Sequence, residues 1–381
     1  MDILSLDKFL YMFHRPHKKN RSFIDFLNHA KVKLGTHLFP LKEYAEKKNI
    51  EIENLKLLFE YIQNRNDYLE RFYRLSLYID PNRPRLSCMK PMKNGNMNNN
   101  EESLSKNIIR NVHWEDILKN TKSGIENIPT YLNMLQDLFL KDIVDYKMVT
   151  PSSLFYLKNG RFGSVFSSYY FRASIMNPYL VYSLNESVLK GTRIFTPTLG
   201  WSSYCYGFLE SKSVLEYVGT DVIPSVCEKT KKMAKRIAPQ KSIDIYCKPS
   251  EDLFKTPAFM NLYRGHFDVV FFSPPYYRLE LYEGKQQSTE KYKTYQEWLD
   301  NYWEKTIQLC HHVLEKNGRL CYILSGYGSQ NTNEQYDLLK DMNAITKKYF
   351  VFKSQQPMYN KNVNVTSHKE AAEKIMIFIK K

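Results

Sequence analysis

The stretch FDVVFFSPPYY, from Phe267 to Tyr277, decides the fold. Its first six residues are almost all β-branched or aromatic, the composition of a buried strand. Ser273 then leads into Pro274 and Pro275, which lack the backbone N–H that a sheet ladder needs, so the strand must stop there and the loop is held stiff. Similar short runs lie on both sides: TRIFTPT, VLEYVGTD and IDIYCKP before it, and GRLCYILSG, KKYFVFKS and KIMIFIKK after it. Helix-like stretches separate them. Strands alternating with helices predict βαβ units and a mostly parallel sheet, hence an α/β fold. Open sheets of this type bind ligands beyond the carboxyl ends of their strands, which is where Ser273 to Tyr276 must lie.

Upstream of Thr150 the character differs. Residues 1 to about 80 carry apolar positions at helical spacing, as in Leu55, Leu58, Phe59 and Ile62, with few Gly or Pro. Pro81 to Asn107 holds three prolines and a dense Asn run without apolar period, which reads as a mobile loop or linker. Helical pattern resumes from about Ile108 to Tyr146. The expected division is a mostly helical N-terminal domain at 1–150, with an Asn-rich linker near 81–107, and an α/β domain at 151–381. Leu41 to Ile62 has the layout of a helix-turn-helix around Ala45 and Asn49, but Glu51, Glu53 and Glu60 on its second helix repel phosphate, so a plain helical hairpin is the simpler reading. The basic stretch His14 to Arg21 could touch a nucleic-acid backbone or be a solvated tail.

The chain of 381 residues carries 55 Lys and Arg against 40 Asp and Glu, a formal charge of +15. That excess suits a polyanion, with DNA expected and RNA open, although a basic soluble protein can carry the same charge. None of the six cysteines stands at C-x-x-C spacing and no Cys/His group has zinc spacing, so no metal is expected and the thiols read as reduced and mostly buried. The N-terminus has acids before its apolar run and no cleavage site, and no apolar run reaches the ~20 residues that span a bilayer. The expectation is a cytoplasmic or nuclear protein, not secreted and not membrane-bound. The Lys-, Asn-, Ile- and Tyr-rich usage suggests an AT-rich, virus- or phage-like genome. Oligomeric state is not legible.

The Ser273-Pro274-Pro275-Tyr276 loop suits one chemical task. The Ser273 hydroxyl and the Pro274 carbonyl can accept hydrogen bonds from an NH₂ group, and the Tyr276 ring can stack on a flat base. Two acceptors on the amino hydrogens favour a more pyramidal, more nucleophilic nitrogen, which can attack a sulfonium methyl directly and in line. Ser273 has no reason to act as a base and is assigned orientation only. A Pro-Pro turn with Tyr276 in the core is the structural alternative. Asp221, ending the strand in VLEYVGTD, can accept both hydroxyls of a ribose or cap the helix that follows.

The loop resembles the catalytic loop of the DNA amino-methyltransferases, which reads Asp, Asn or Ser, then two prolines and an aromatic residue. Other elements follow the order of that family. GTRIFTPTLGWSSYCYGFLES (Gly191 to Ser211) is similar to its cofactor loop, matching at Pro197, Thr198, Gly200 and Trp201, with Gly200 allowing close backbone approach. The resemblance departs at Thr196, where the family has an acid that helps hold the methionine ammonium, and at Ser202, where a second glycine is usual. Ser250, Glu251 and Asp252 fall where the family borders the adenine ring, and Phe171 with Asn177-Pro178 where its chain enters the cofactor pocket.

The resemblance covers about Ser167 to Lys381. It implies a Rossmann-like methyltransferase sheet, S-adenosyl-L-methionine as cofactor, and Ser273, Pro274, Pro275 and Tyr276 as the catalytic set. It also implies cofactor contacts at Phe171, Thr196, Pro197, Thr198, Gly200, Trp201, Asp221, Ser250, Glu251 and Asp252. Ser at the head of the loop leans toward N4 of cytosine, with N6 of adenine as the alternative. RNA and protein-glutamine methylation use related loops, the latter with Asn before the prolines. A degenerate, non-catalytic nucleic-acid-binding subunit is the reading that Thr196 and Ser202 would motivate. The polar run from Tyr282 to Lys293 could close over a base or be a solvated loop, and Trp298, Tyr302, Ile307 and Leu314 read as core.

Overall fold

The structure is a computed structural model that describes residues 3–15, 21–123, 129–169, 173–282, 284–326, 336–361 and 371–381. Its contacts divide the chain into two units, and the division is discontinuous: Asp2–Tyr78 with Trp114–Ala173, and Ile79–His113 with Ser174–Lys381.

The first unit is mostly helical around an aromatic core. Phe9, Phe13, Phe139, Phe162 and Phe166 are all buried, and Phe162 meets Phe166 edge-on with ring centroids 4.6 Å apart. It also contains a three-stranded sheet that helical periodicity did not foretell, formed by β1 (Lys31–Leu34), β2 (His37–Pro40) and β3 (Ile143–Asp145). β1 pairs antiparallel with β2 and parallel with β3. Strands of three or four residues are too short for a period to show, and the tight link between β1 and β2 depends on Gly35 at φ +61°. Leu41–Lys47 and Ile52–Gln63 are helices joined at Asn49 (φ +52°), with Ala45, Leu55 and Leu58 buried. That is the hairpin read from the sequence. Of the basic stretch from His14 to Arg21, residues 16–20 lie outside the described residues. Arg15 and Arg21 both bind the Asp142 carboxylate, so these two cations serve the fold.

The second unit holds a seven-stranded sheet, and all seven runs named from the sequence are its strands. In chain order they are β4 (Arg193–Thr196), β5 (Glu216–Asp221), β6 (Ser242–Cys247), β7 (Phe267–Phe272), β8 (Leu314–Leu324), β9 (Val351–Met358) and β10 (Glu373–Ile379). Their spatial order is β9-β10-β8-β7-β4-β5-β6. β6, β5, β4, β7 and β8 run parallel, while β10 is antiparallel to both β8 and β9. This is a Rossmann-like α/β sheet. The chain leaves β4 toward β5 on one side and returns to β7 on the other, so the β4/β7 border is the switch point that opens a crevice. The central strands β4, β5 and β7 are buried along most of their length, as parallel strands between helices must be. Trp298, Tyr302, Ile307 and Leu314 are core. Asn317-Gly318 forms an irregularity near the start of β8, with Asn317 at φ +63°.

The expected linker at 81–107 is corrected by the structure, and with it the domain boundary near 150. Ile79–His113 belongs to the sheet unit, and 114–173 to the helical one. Met92 and Met97 are buried, and the Met97 carbonyl accepts from the Tyr359 N–H at 2.7 Å. The Asn run is satisfied by its own amides. Asn98 Oδ1 accepts from the N–H groups of Asn100 (3.1 Å) and Lys361 (3.2 Å), and Asn99 Oδ1 from that of Asn177 (2.8 Å). Side-chain-to-backbone bonds do here what apolar periodicity does elsewhere, which is why composition pointed to a loose segment. All six cysteines are free thiols, four of them buried. No helix among the described residues is long and apolar enough to cross a membrane.

Candidate functional site

The carboxyl ends of β4, β5, β6 and β7 carry four of the segments singled out from the sequence. β4 ends on Thr196, paired in register with Gly219 of β5. Thr196 is fully buried and its Oγ1 lies 2.6 Å from the Tyr217 hydroxyl, so the position bears no charge. The chain then turns sharply, with Gly200, Trp201 and Ser202 all in the left-handed region at φ +51°, +57° and +69°. A Cβ on Gly200 would lie 2.3 Å from the Tyr204 ring, and one on Gly219 would lie 2.6 Å from Leu199. Both positions need glycine to let the turn close over the strand end.

Ser202, where a glycine was expected, is stabilised in that conformation by buried hydrogen bonds. Its Oγ lies 2.7 Å from His113 Nε2 and 2.6 Å from Thr230 Oγ1. Burial disfavours the charged imidazole and pushes the His113 pKa down to about 3, so the ring is neutral at ordinary pH. The Thr198 hydroxyl is buried without a hydrogen-bond partner of good geometry; it lies near the Tyr204 hydroxyl, whose pKa burial raises while the Ser273 backbone and Thr198 oppose that rise.

Asp221 ends β5 beside this turn. Its carboxylate accepts from the Leu199 N–H (3.2 Å) and from its neighbours Val222 (2.8 Å) and Ile223 (3.2 Å). It therefore ties the cofactor-type turn to the second strand, and it remains half-exposed at the edge. Both readings of Asp221, ribose acceptor and local cap, are compatible with this position. In the loop after β6, Ser250 Oγ pairs with Thr306 Oγ1 at 2.8 Å, while Glu251 and Asp252 both bind Lys291 Nζ, at 2.8 and 2.9 Å. Burial raises the Glu251 pKa. Lys291 comes from the polar run after the catalytic-type loop, so that run is pinned to the 250–252 loop rather than left in solvent.

At the end of β7, Ser273 is held from three sides. Its N–H donates to the Tyr204 hydroxyl (3.2 Å), its carbonyl accepts from the same hydroxyl (3.3 Å), and its own Oγ donates to the Ile323 carbonyl (3.2 Å). Tyr204 thus joins the 196–202 turn to the 273–276 loop across the switch point. The Tyr276 hydroxyl accepts from the Ser325 N–H at 2.9 Å, which fixes the far end of its ring, and burial keeps it un-ionised. Pro274 is buried and Pro275 partly exposed.

Asn177 caps the helix Pro178–Leu184, and Ser203 Oγ donates to the Met176 carbonyl at 2.6 Å, which brings that segment against the turn. Phe171 lies outside the described residues. Sequence reading missed Tyr204, His113, Thr230 and the pair Glu280–Tyr282. Tyr204 carried a usable signal, as an aromatic residue four positions after Gly200 in the turn. His113 and Thr230 had none, because their partner is 89 and 28 residues away.

Fold and edge together define a Rossmann-like α/β protein whose candidate ligand site lies at the β4/β7 switch point. Residues 227–357 match the sequence model of a family described as Eco57I restriction-modification methylase. The matched stretch contains the 250–252 and 273–276 loops, and begins after the 196–202 turn and Asp221. No curated protein matches the chain. Among solved structures, the N-methyltransferase NodS from Bradyrhizobium japonicum WM9, in complex with S-adenosyl-L-homocysteine, is similar at 11% identity. That similarity covers 53% of this chain and 83% of NodS, with a TM-score of 0.36. TrmN from Thermus thermophilus is similar at 13% identity over 54% of this chain and 49% of its own, with a TM-score of 0.35.

Proposed function

We propose that the chain is an S-adenosylmethionine-dependent methyltransferase that modifies the exocyclic amino group of a DNA base, N4 of cytosine ahead of N6 of adenine. The observation that carries this reading is the state of Ser273. Its hydroxyl hydrogen is spent on the Ile323 carbonyl, so toward a further partner its oxygen can act only as an acceptor, which is what an amino group requires. Beside it the Tyr276 ring is anchored at its hydroxyl, leaving the ring as the part that can stack. The family match over residues 227–357 and the formal charge of +15 support a DNA substrate.

The turn at 196–202 fits the cofactor. Thr198 has a buried hydroxyl to offer, and Asp221 presents a half-exposed carboxylate at the strand end. When bound, the cofactor supplies an electrophilic methyl group on a sulfonium. Ser273 and the Pro274 carbonyl orient the amine, Tyr276 holds the base plane, and Tyr204 fixes the distance between the two loops. Glu251 and Asp252 act through Lys291 as braces, with the adenine border left to their backbone.

Incubation with DNA and labelled S-adenosylmethionine, followed by digestion and mass spectrometry of nucleosides, tests the reading. N4-methylcytosine is expected. N6-methyladenine would move the assignment to the alternative base. Cofactor binding without any labelled nucleoside would reject DNA methylation, and failure to bind cofactor would leave the degenerate subunit.

A further inference from the structure

The turn that replaces the usual acid with Thr196 has no negative charge of its own between residues 196 and 202. A zwitterionic methionine tail would need a counter-charge there. Asp221 spends its carboxylate on three backbone N–H groups. The other acid drawn to this place is Glu280, seven positions after Ser273. The chain leaving the catalytic-type loop folds back so that the Tyr282 ring meets the Trp201 ring edge-on at 5.6 Å. Tyr282 donates its hydroxyl to Glu280 Oε2, and Glu280 Oε1 accepts from the Ser174 N–H at 3.1 Å. Ser174 lies two residues before Met176, whose carbonyl binds Ser203 at the start of the next helix. Glu280 therefore sits where the segment before Asn177, the 196–202 turn and the end of the catalytic-type loop converge.

Its electrostatic setting is unusual. No Lys, Arg or His among the described residues forms an ion pair with Glu280, although its side chain is only partly exposed. Both of its hydrogen-bond partners are neutral donors. The titratable groups that feel it are Tyr282 and Tyr204, both kept un-ionised by burial, and Asp221 acts on the same two hydroxyls. A carboxylate drawn partly out of water without a cation is costly, and the cost falls if a cation arrives with a ligand. Burial accordingly raises the Glu280 pKa.

We propose that Glu280 binds the α-ammonium of the cofactor's methionine moiety, supplying from behind the catalytic-type loop the charge that Thr196 lacks, with Tyr282 orienting the carboxylate against Trp201. This assignment rests on the cofactor reading above. It makes the pocket dependent on the loop: a carboxylate that follows the base-binding segment couples cofactor affinity to the order of that segment.

The test is calorimetric titration of the full chain with S-adenosylhomocysteine, which carries the ammonium, and with 5′-methylthioadenosine, which lacks it. Glu280→Gln should weaken the first at least tenfold and leave the second within twofold. In the wild type, titrations stepped from about pH 4.5 to about pH 7 should show proton release on binding S-adenosylhomocysteine, since an ammonium lowers the carboxyl pKa, whereas 5′-methylthioadenosine should release none. That measurement uses two buffers of different ionisation enthalpy and needs no variant, so it decides the matter even if Glu280→Gln does not fold. Equal losses for both ligands in a folded variant, or no difference in proton release between them, would overturn the assignment of Glu280 while leaving the cofactor reading intact. A wild-type chain that binds neither ligand would overturn the cofactor reading itself, and this assignment with it.

Discussion

Two loops face each other across the β4/β7 switch point, and they are made rigid by different means. The 273–276 loop is stiffened covalently, by two adjacent prolines whose φ angles are fixed before the chain folds. The 196–202 turn has one proline at its start and then three successive residues in the left-handed region, two of them not glycine. That conformation costs of order 1–3 kcal/mol at a non-glycine residue and persists only where surroundings over-determine it. Here the surroundings are Tyr204 beneath Gly200 and the His113–Ser202–Thr230 contacts. A proline loop keeps its shape when a neighbour is lost, whereas a turn held by distant partners does not. The two should therefore fail differently when residues around them are changed.

The largest failure should come from cutting the chain. Removing residues 1–150 deletes Met92, Met97, Asn99 and His113, which belong to the sheet's own unit. The turn would lose the partner of Ser202, and the sheet edge would lose the strand-like contact at Tyr359. The expected product is insoluble or lacks cofactor binding. A soluble fragment that binds S-adenosylhomocysteine with parental affinity would show that the segment 79–113 is dispensable.

Changes within the proline loop should spare cofactor affinity and reduce transfer. Tyr276→Ala removes a stacking platform worth ~1–3 kcal/mol, so methyl transfer should fall about 10- to 100-fold at nearly unchanged cofactor affinity. Tyr276→Phe keeps the ring but releases the Ser325 N–H, and should cost less than tenfold. A parallel loss of activity and melting temperature in Tyr276→Ala would mean that the ring is core. The turn should behave in the opposite way. His113→Ala leaves Ser202 strained and short of a partner, and should weaken cofactor binding by about 1–3 kcal/mol with little effect on transfer at saturation. Ser202→Gly placed in the same chain should restore most of that affinity, because glycine adopts the left-handed conformation unaided. Rescue is the informative outcome, since a merely destabilised core would worsen with a second change.

The same contrast explains what the sequence could and could not tell. Every strand of the large sheet was legible, because each carries a short β-branched or aromatic run set off by helix-like stretches, and the catalytic-type loop because prolines are visible wherever they stand. The turn was legible through Gly200 and Trp201, but Ser202 looked like a defect. Its hydroxyl is answered by His113, 89 residues earlier, and nothing in local pattern links the two. The segment 81–107 was misjudged for a related reason. Its amide side chains bond backbone at Asn100, Asn177 and Lys361, contacts that leave no period to detect. The short strands β1 to β3 were missed because three or four residues offer no alternation to read. Glu280 was passed over because an acid in a polar stretch is ordinary until its neighbours prove to be rings.

The smallest effect, and the most specific to the turn, is on pH. His113 is buried and neutral, its pKa pushed down to about 3 by burial and then by the charge of Lys229. In the unfolded chain an imidazole titrates near ~6.5. Between these two values the unfolded state binds a proton that the folded state refuses. Stability therefore falls as pH falls below ~6.5, by up to ~1.4 kcal/mol per pH unit, and the loss is complete only near pH 3. Glu251, Glu280 and Glu373, whose pKa values are raised by burial, act with the opposite sign, because their folded forms take up protons first. Total stability against pH is then a sum in which His113 is hidden. A difference isolates it. Denaturant midpoints should be measured at pH 7.0 and 5.5 for the wild type and for a chain carrying His113→Phe with Ser202→Gly, which has no imidazole to charge and no stranded hydroxyl. The buried carboxylates and His311, also lowered by burial, contribute to both chains and cancel. The wild type should lose about 1 kcal/mol more than the double variant over that interval. Equal losses would mean that His113 is protonated in the folded chain, in which case its contact with Ser202 is a charged one and the turn is held by an ion rather than by a neutral relay.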